Sequence, residues 1–233
     1  MKNNEIILEL FNKNITEIFK NQKPLTLLEL KNDNLDLTLN EDENNIFDSV
    51  IDIIVYAIGA AYKIEKLTGV YPAMIATSIQ EETAIKRVIK WNQERNLNTY
   101  NLRRELSFII EEVYEGTYVP HKDSHAVSLK ICDKYFLDII LNYQHEFKLT
   151  QQFFINIYKS FIELGKEVAK EYEYNDFYYY FNKVMDANEL KGKKVNEEGK
   201  IIKENNNFVA PEINFKKKSD SDSLNKNNDE EKQ

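Results

Sequence analysis

Apolar residues recur along this chain with a helical period rather than the two-residue alternation of strands. Ile6, Ile7, Leu10, Phe11, Ile15 and Phe19 fall on one face of a helix over residues 1–20. Pro24 interrupts it, and Leu25–Leu30 begins a second short helix or a single turn of one. Residues 32–45 are polar and acidic, relieved only by alternating Leu35, Leu37 and Leu39, and predict a loop with a brief extended piece. A strong helix is predicted over 46–67, ended by Gly69 and Pro72, and helical spacing continues over 73–96. The next helix runs from Tyr100 to about Tyr118, closed by Gly116 and Pro120. Another covers 122–147, with Asp123 or Ser124 as its N-cap, and Thr150 caps a long helix from Gln151 to about Tyr172. Asn175 to Met185, with its aromatic run Phe177–Phe181, packs against these helices and ends near Asn188. Residues 189–212 are rich in Lys, Asn and Gly and predict an extended segment with a turn at Glu198–Gly199; from about Phe215 onward the composition is that of a disordered tail.

The expected fold is therefore an all-α helical bundle. The division expected is an N-terminal helical half over 1–98, a second helical half with its extended segment over 99–212, and a tail over 213–233. Composition narrows this further. The chain has 233 residues, with 6 Gly and 4 Pro, too few for a turn-dense all-β fold. Neither GxGxxG nor GxxxxGK[ST] occurs, which removes the main support for dinucleotide-binding and P-loop readings. A single cysteine, Cys132, excludes a disulfide framework and a cysteine-based zinc site. A reducing, cytoplasmic setting is the expectation. The longest apolar run, Ile51 to Ala61, is too short to span a bilayer, and no signal-peptide shape opens the sequence, so no membrane partner is expected. A formal net charge of −8 argues against a nucleic-acid polymer as partner, because phosphate backbones favour basic surfaces.

Part of the acidic excess is patterned. Glu112 and Glu115 are three apart and Glu111 and Glu115 four apart, spacings that share a helix face. Carboxylates that close repel unless a cation lies between them, and a hard cation such as Mg²⁺ takes oxygen ligands of this kind. A solvated acidic face would show the same spacing. Asp48 and Asp52, also four apart, lead into the nearly apolar run that contains Ala57, Gly59, Ala60 and Ala61. An unpaired carboxylate is costly to bury, so Asp there implies either a partner or a metal. Asp138 precedes a second apolar run in the same way, whereas Asp133, five back, lies off its face. A shift of 86 residues carries Glu29 onto Glu115 and Asp52-Ile-Ile onto Asp138-Ile-Ile, a weak repeat in which Thr26 replaces Glu112. His121, His125 and His145 show no convincing metal spacing, and the 177–181 aromatics fit a core better than a base-stacking platform.

The order Glu111-Glu112-x-x-Glu115, a polar gap, then Asp before an apolar helix resembles the all-α nucleoside triphosphate pyrophosphatases, the superfamily of MazG, dimeric dUTPases and phosphoribosyl-ATP pyrophosphohydrolase. The ending is similar to the MazG-like tail: a helix closing on Asn188-x-x-Lys191, then Gly199-Lys200, then Phe208 to Pro211. The likeness covers roughly 100–212, with the 48–61 helix separately. It implies Mg²⁺-dependent cleavage of a nucleoside triphosphate to monophosphate and pyrophosphate, in a dimer or tandem bundle. On the matching positions, Glu112, Glu115 and Asp138 would ligate the metal, Glu111 and Glu112 would serve catalysis, and Asn188 and Lys191 would contact phosphate or sugar. The chain departs from the pattern where Lys134 and Tyr135 stand in place of the acid expected before Asp138; Asp48 and Asp52 have the better form for that second motif. The competing expectation is a degenerate helical protein that binds a nucleotide or a protein partner without catalysis.

Overall fold

The computed structural model describes residues 43–117, 124–197 and 200–202. The two helices predicted before residue 32, the repeat positions Thr26 and Glu29, the turn at Glu198–Gly199 and the tail all lie outside them. Among the described residues the architecture is all-α. Helix α1 spans Glu43–Thr68, α2 Ile79–Glu94, α3 Leu102–Thr117, α4 Ser124–Tyr143, α5 Phe147–Ala169 and α6 Phe177–Leu190. A 3₁₀ turn over Pro72–Ile75 joins the first two, and the extended segment closes with an isolated antiparallel bridge between Val195 and Ile201.

The architecture follows from α1. Its residues Phe47, Val50, Ile51, Ile54, Ala57, Ile58 and Ala61 are buried, and so are Ile53, Ala60 and Ile64 on other faces. A helix apolar on all sides has to be enclosed. The long α5 and α3 pack along it, and α2 and α6 close the remaining side. One cluster of buried side chains runs from Phe47 to Met185, drawing on helices from both sides of residue 98. Each fully buried Ile contributes about 1.5–3 kcal/mol of transfer free energy. Gly59 permits the approach of α2, since a Cβ there would stand 3.3 Å from the Asn92 amide. The aromatic run belongs to this core: Phe177, Tyr180 and Phe181 are buried, and Phe47 stacks on Tyr172 at 5.1 Å and meets Tyr180 at 5.2 Å.

Several boundaries differ from the sequence expectation, each for a local reason. Helix α1 begins at Glu43, within the stretch predicted as a loop, and ends through Gly69, whose φ of 72° lets its N–H reach the Glu65 carbonyl at 2.6 Å. The helical spacing over 73–96 is broken: Ser78, in extended conformation, accepts from the Glu81 N–H at 3.1 Å and starts α2. The Glu81 carboxylate in turn accepts from the N–H and hydroxyl of Thr77, the residue before the cap. Gly116 lies inside α3 rather than closing it. Thr150 does not cap α5, which starts at Phe147; its hydroxyl donates to the Tyr143 or Glu146 carbonyl instead.

A buried ion pair ties α1 to α3. Lys63 Nζ lies 2.7 Å from Glu105 Oε2, and Arg104 Nη2 lies 2.8 Å from the other Glu105 oxygen, with Glu105 wholly buried. Removing one partner of such a pair leaves an under-compensated charge. Lys63→Met is therefore expected to lower unfolding stability by about 3 kcal/mol. Adding Glu105→Leu should recover most of that loss, since Arg104 reaches solvent. Urea denaturation of both variants checks this; a double variant no more stable than the single one would refute it.

Candidate functional site

The carboxylates that stood out along the sequence come from two helices that α1 forces together. Asp48 and Asp52 occupy successive turns of α1, and Glu112 and Glu115 occupy neighbouring turns of α3. All four line one cavity of about 520 Å³. Its basic and amide side comes from Asn188 and Lys191, at the end of α6, and from Lys200 in the extended segment. Further along α1 the walls are Val55, Tyr56, Gly59 and Lys63, faced by Trp91, Asn92, Leu97 and Phe108. The period of α1 explains the layout, because positions 48, 52, 56, 59 and 63 share one stripe.

The electrostatics of the acidic end are those of like charges withdrawn from water. Burial raises the Asp48 carboxyl to about 7, helped by Asp52 and Glu115 and opposed by Lys191. Asp52 is raised by burial, against the pull of Lys191 and the hydrogen bond from Asn188. Glu112 is raised well above its ordinary value by burial, then by Asp52, Glu115, Asp48 and Glu111. The Tyr56 hydroxyl is raised by burial and by the same acids. Direct contacts fix several of the groups: Asn188 Nδ2 donates to Asp52 Oδ1 at 3.0 Å, and Lys200 Nζ donates to Glu111 Oε1. Glu111 is 2 % exposed and faces Lys200, next to the cluster.

Asp138 lies on α4, but its side chain is outside the described residues. Asp133 is engaged on the surface, where Arg103 Nε and Nη2 meet its two oxygens at 2.6 and 2.7 Å. Among the described residues, the acids that share the cavity with Glu112 and Glu115 are those of α1.

The sequence singles out neither Asn92 nor Arg95; it marks Lys200 only within the Gly-Lys turn of the resemblance, and Trp91 only as an interface or surface anchor, whereas Trp91 is buried. Trp91 Nε1 donates to the Asn188 carbonyl at 3.1 Å, and Arg95 lies beneath the end of α6. Their separation of more than 90 residues from α6 leaves no local signal. The one sequence cue was Trp91 itself, a lone tryptophan in a polar stretch.

The donor chemistry of the acidic end suits a hard divalent cation, which takes carboxylate oxygens and would relieve the mutual repulsion. As they stand, no three His, Cys, Asp or Glu side chains among the described residues close into a metal-ligating group; the four carboxylates share a cavity rather than a point. No protein-family model, curated protein or solved structure matches the chain. No helix among the described residues is long and apolar enough to cross a membrane.

A carboxyl whose folded-state affinity for protons exceeds its unfolded value stabilises the fold fully below the unfolded pKa and loses that contribution as pH rises through the folded one. Asp48, Asp52 and Glu112 all have this sign. Without divalent cations, stability should fall between about pH 4 and pH 7, the window set by Asp48. Asp48→Asn should flatten that fall and leave the variant more stable than the wild type at pH 8. Urea midpoints across this range decide it, and a wild-type profile flat from pH 4 to 8 would exclude the assignment.

Proposed function

We propose that this chain is a Mg²⁺-dependent nucleoside triphosphate pyrophosphohydrolase, related in architecture to the MazG-like all-α nucleoside triphosphate pyrophosphatases. The observation that carries this reading is the convergence of Asp48 and Asp52 with Glu112 and Glu115 in one cavity that also holds Asn188, Lys191 and Lys200. Acids alone would repel a polyanion. Acids and ammonium groups lining the same cavity provide for a cation and for the phosphates it accompanies.

Asp48, Asp52, Glu112 and Glu115 would hold the metal, and Asp138 of the sequence reading would join them only if its helix brought it to the same cavity. Bound there, Mg²⁺ supplies neutralisation of phosphate charge and Lewis-acid polarisation. The remaining work belongs to the chain. Lys191 and Lys200 bind phosphate oxygens and stabilise negative charge on the pyrophosphate that leaves. Asn188 holds Asp52 in place through its amide and presents its remaining polar atoms to the ligand. Glu112 would also take a proton from water as its oxygen attacks phosphorus, the role the resemblance implies for it. The bond from the α-phosphorus to the bridging oxygen breaks, giving a monophosphate and pyrophosphate. Glu111 holds Lys200 at the edge of the site. Partial burial also favours the reading: Glu112 is buried and Asp48, Asp52 and Glu115 are half-buried, which weakens the screening of these charges by solvent.

A pyrophosphate-release screen over ribo- and deoxyribonucleoside triphosphates with Mg²⁺ tests the proposal. Release from at least one nucleotide is expected, lost on chelation. Glu112→Gln and Asp52→Asn should each lower turnover by about 100-fold or more, as removal of one charge-stabilising group does elsewhere. No release from any nucleotide at high protein concentration would leave a non-catalytic nucleotide- or protein-binding bundle as the function. Full activity in both variants would displace the site.

A further inference from the structure

The end of α6 poses a charge problem. Its last turn carries Asn188, and Lys191 follows as the C-cap, with an extended backbone and an N–H bonded to the Asn188 carbonyl. The C-terminus of a helix presents unsatisfied carbonyls with a partial negative charge. Here that negative end lies beside four carboxylates and beside the cavity read above as a phosphate site. The nearest cation in sequence is Lys191, and lysines near a helix C-terminus commonly fold back onto the last carbonyls. Lys191 does something else: it lines the cavity and pulls down the proton affinities of Asp48 and Asp52.

Another residue takes its place. Arg95, the C-cap of α2, is 3 % exposed, and among the described residues it makes no ion pair with a carboxylate. Its guanidinium is given to the end of α6. Nη2 donates to the carbonyls of Lys191 at 2.8 Å, Glu189 at 3.2 Å and Asn188 at 3.5 Å, and Nε donates to that of Gly192 at 3.2 Å. The planar group stacks over Trp91 at 4.6 Å, while the Trp91 Nε1 donates to the Asn188 carbonyl at 3.1 Å. A guanidinium can serve several carbonyls from one plane; an ammonium on a flexible stem cannot reproduce that fork.

We propose that Arg95 is a positioning residue for the candidate site: by capping the carbonyl end of α6 from outside the cavity, it leaves the Lys191 ammonium to face the cavity and its phosphate ligand. The two cations divide the work, one neutralising the helix end and the other meeting the ligand. The assignment rests on the reading of the cavity as a phosphate site, but the placement of Lys191 can be measured without turnover.

A built-in control separates this role from simple clamping. Arg87, two turns earlier on α2, also ties α2 to α6, through Asp186 at 2.6 Å, Glu189 at 2.8 Å and the Asn182 side chain at 2.8 Å, and it touches neither the cavity nor the last carbonyls. The experiment compares Arg95→Gln, Arg95→Lys, Lys191→Met and Arg87→Gln, each checked for folding by thermal melting. Two quantities are read: the ¹⁵Nζ resonance of Lys191 in the ligand-free protein, and the affinity for tripolyphosphate with Mg²⁺. In Arg95→Gln the Lys191 resonance should move, and affinity should fall about 10-fold, the loss of one charge-assisted hydrogen bond. Lys191→Met should lose a similar amount, and the double variant no more than either. Arg95→Lys should fall between Arg95→Gln and the wild type, which keeps the question open to measurement if Arg95→Gln does not fold. Arg87→Gln should change neither quantity. An unmoved Lys191 resonance in both Arg95 variants would overturn the proposal, as would equal losses in Arg87→Gln and Arg95→Gln. A Lys191 resonance that moves in a wild-type background that binds no tripolyphosphate would retain Arg95 as the cap while rejecting the phosphate reading.

Discussion

The enclosure of α1 is the constraint on which the rest depends. A helix whose Ile, Val, Phe and Ala residues point in every direction is stable only inside a ring of other helices, and α2, α3, α5 and α6 provide that ring. Two of its positions, Asp48 and Asp52, are acids, and enclosure carries them out of bulk water with their neighbours. The surrounding helices must then supply whatever makes a buried carboxylate tolerable. Helix α6 supplies the Asn188 amide and the Lys191 ammonium, whereas α3 adds Glu112 and Glu115, which make the problem worse. A fold selected for stability alone would have no use for that second pair. The same helix pair holds a paired arrangement further along the same stripe, where Lys63 and Glu105 meet at 2.7 Å.

Much of this was legible in the sequence because the informative features were local. The helical period identified the all-α class, and the incongruity of Asp48 and Asp52 before an apolar run marked them as residues in need of a partner. The spacing of Glu112 and Glu115 put them on one face. What local pattern left open was which second acid faces that pair, since Asp52 and Asp138 precede their Ile-Ile pairs alike; only the packing of α3 against α1 brings Asp48 and Asp52 to the cavity. The contacts of Lys200, Trp91 and Arg95 were not legible for the same reason. Each acts on a residue about 90 or more positions away, and nothing in its own neighbourhood records the fact. Arg95 closes a polar stretch whose composition is that of an ordinary solvated helix end.

The helix boundaries that shifted show how tertiary context overrides local signals. Thr150 is a good N-cap residue in isolation, yet the chain turns into α5 three residues earlier, and the hydroxyl serves carbonyls left by α4 and its following turn. Ser78 and Glu81 form a cap where helical periodicity ran on without a break, because Pro72 sets a 3₁₀ turn before it. Periodicity reports which residues face the core, and it does so across a break as readily as within a helix.

A net charge of −8 and a polyanionic ligand are compatible only if charge is sorted in space. The described structure sorts it by element. Acids come from the N-terminal part of α1 and the end of α3; cations come from the end of α6 and the segment after it. Sorting of this kind brings acids and cations to one cavity from different elements, where a collapse into ion pairs would leave nothing for a ligand. Lys200 does make such a pair, with Glu111, and Lys191 does not close onto the α6 carbonyls because Arg95 already holds them. The arrangement is less stable than full pairing would be, and the cost falls on the groups with raised proton affinity. Burial raises the proton affinities of Asp48, Asp52 and Glu112, so the acids of the enclosed helix are eased by Asn188 and Lys191 of α6 and would be eased further by a bound cation.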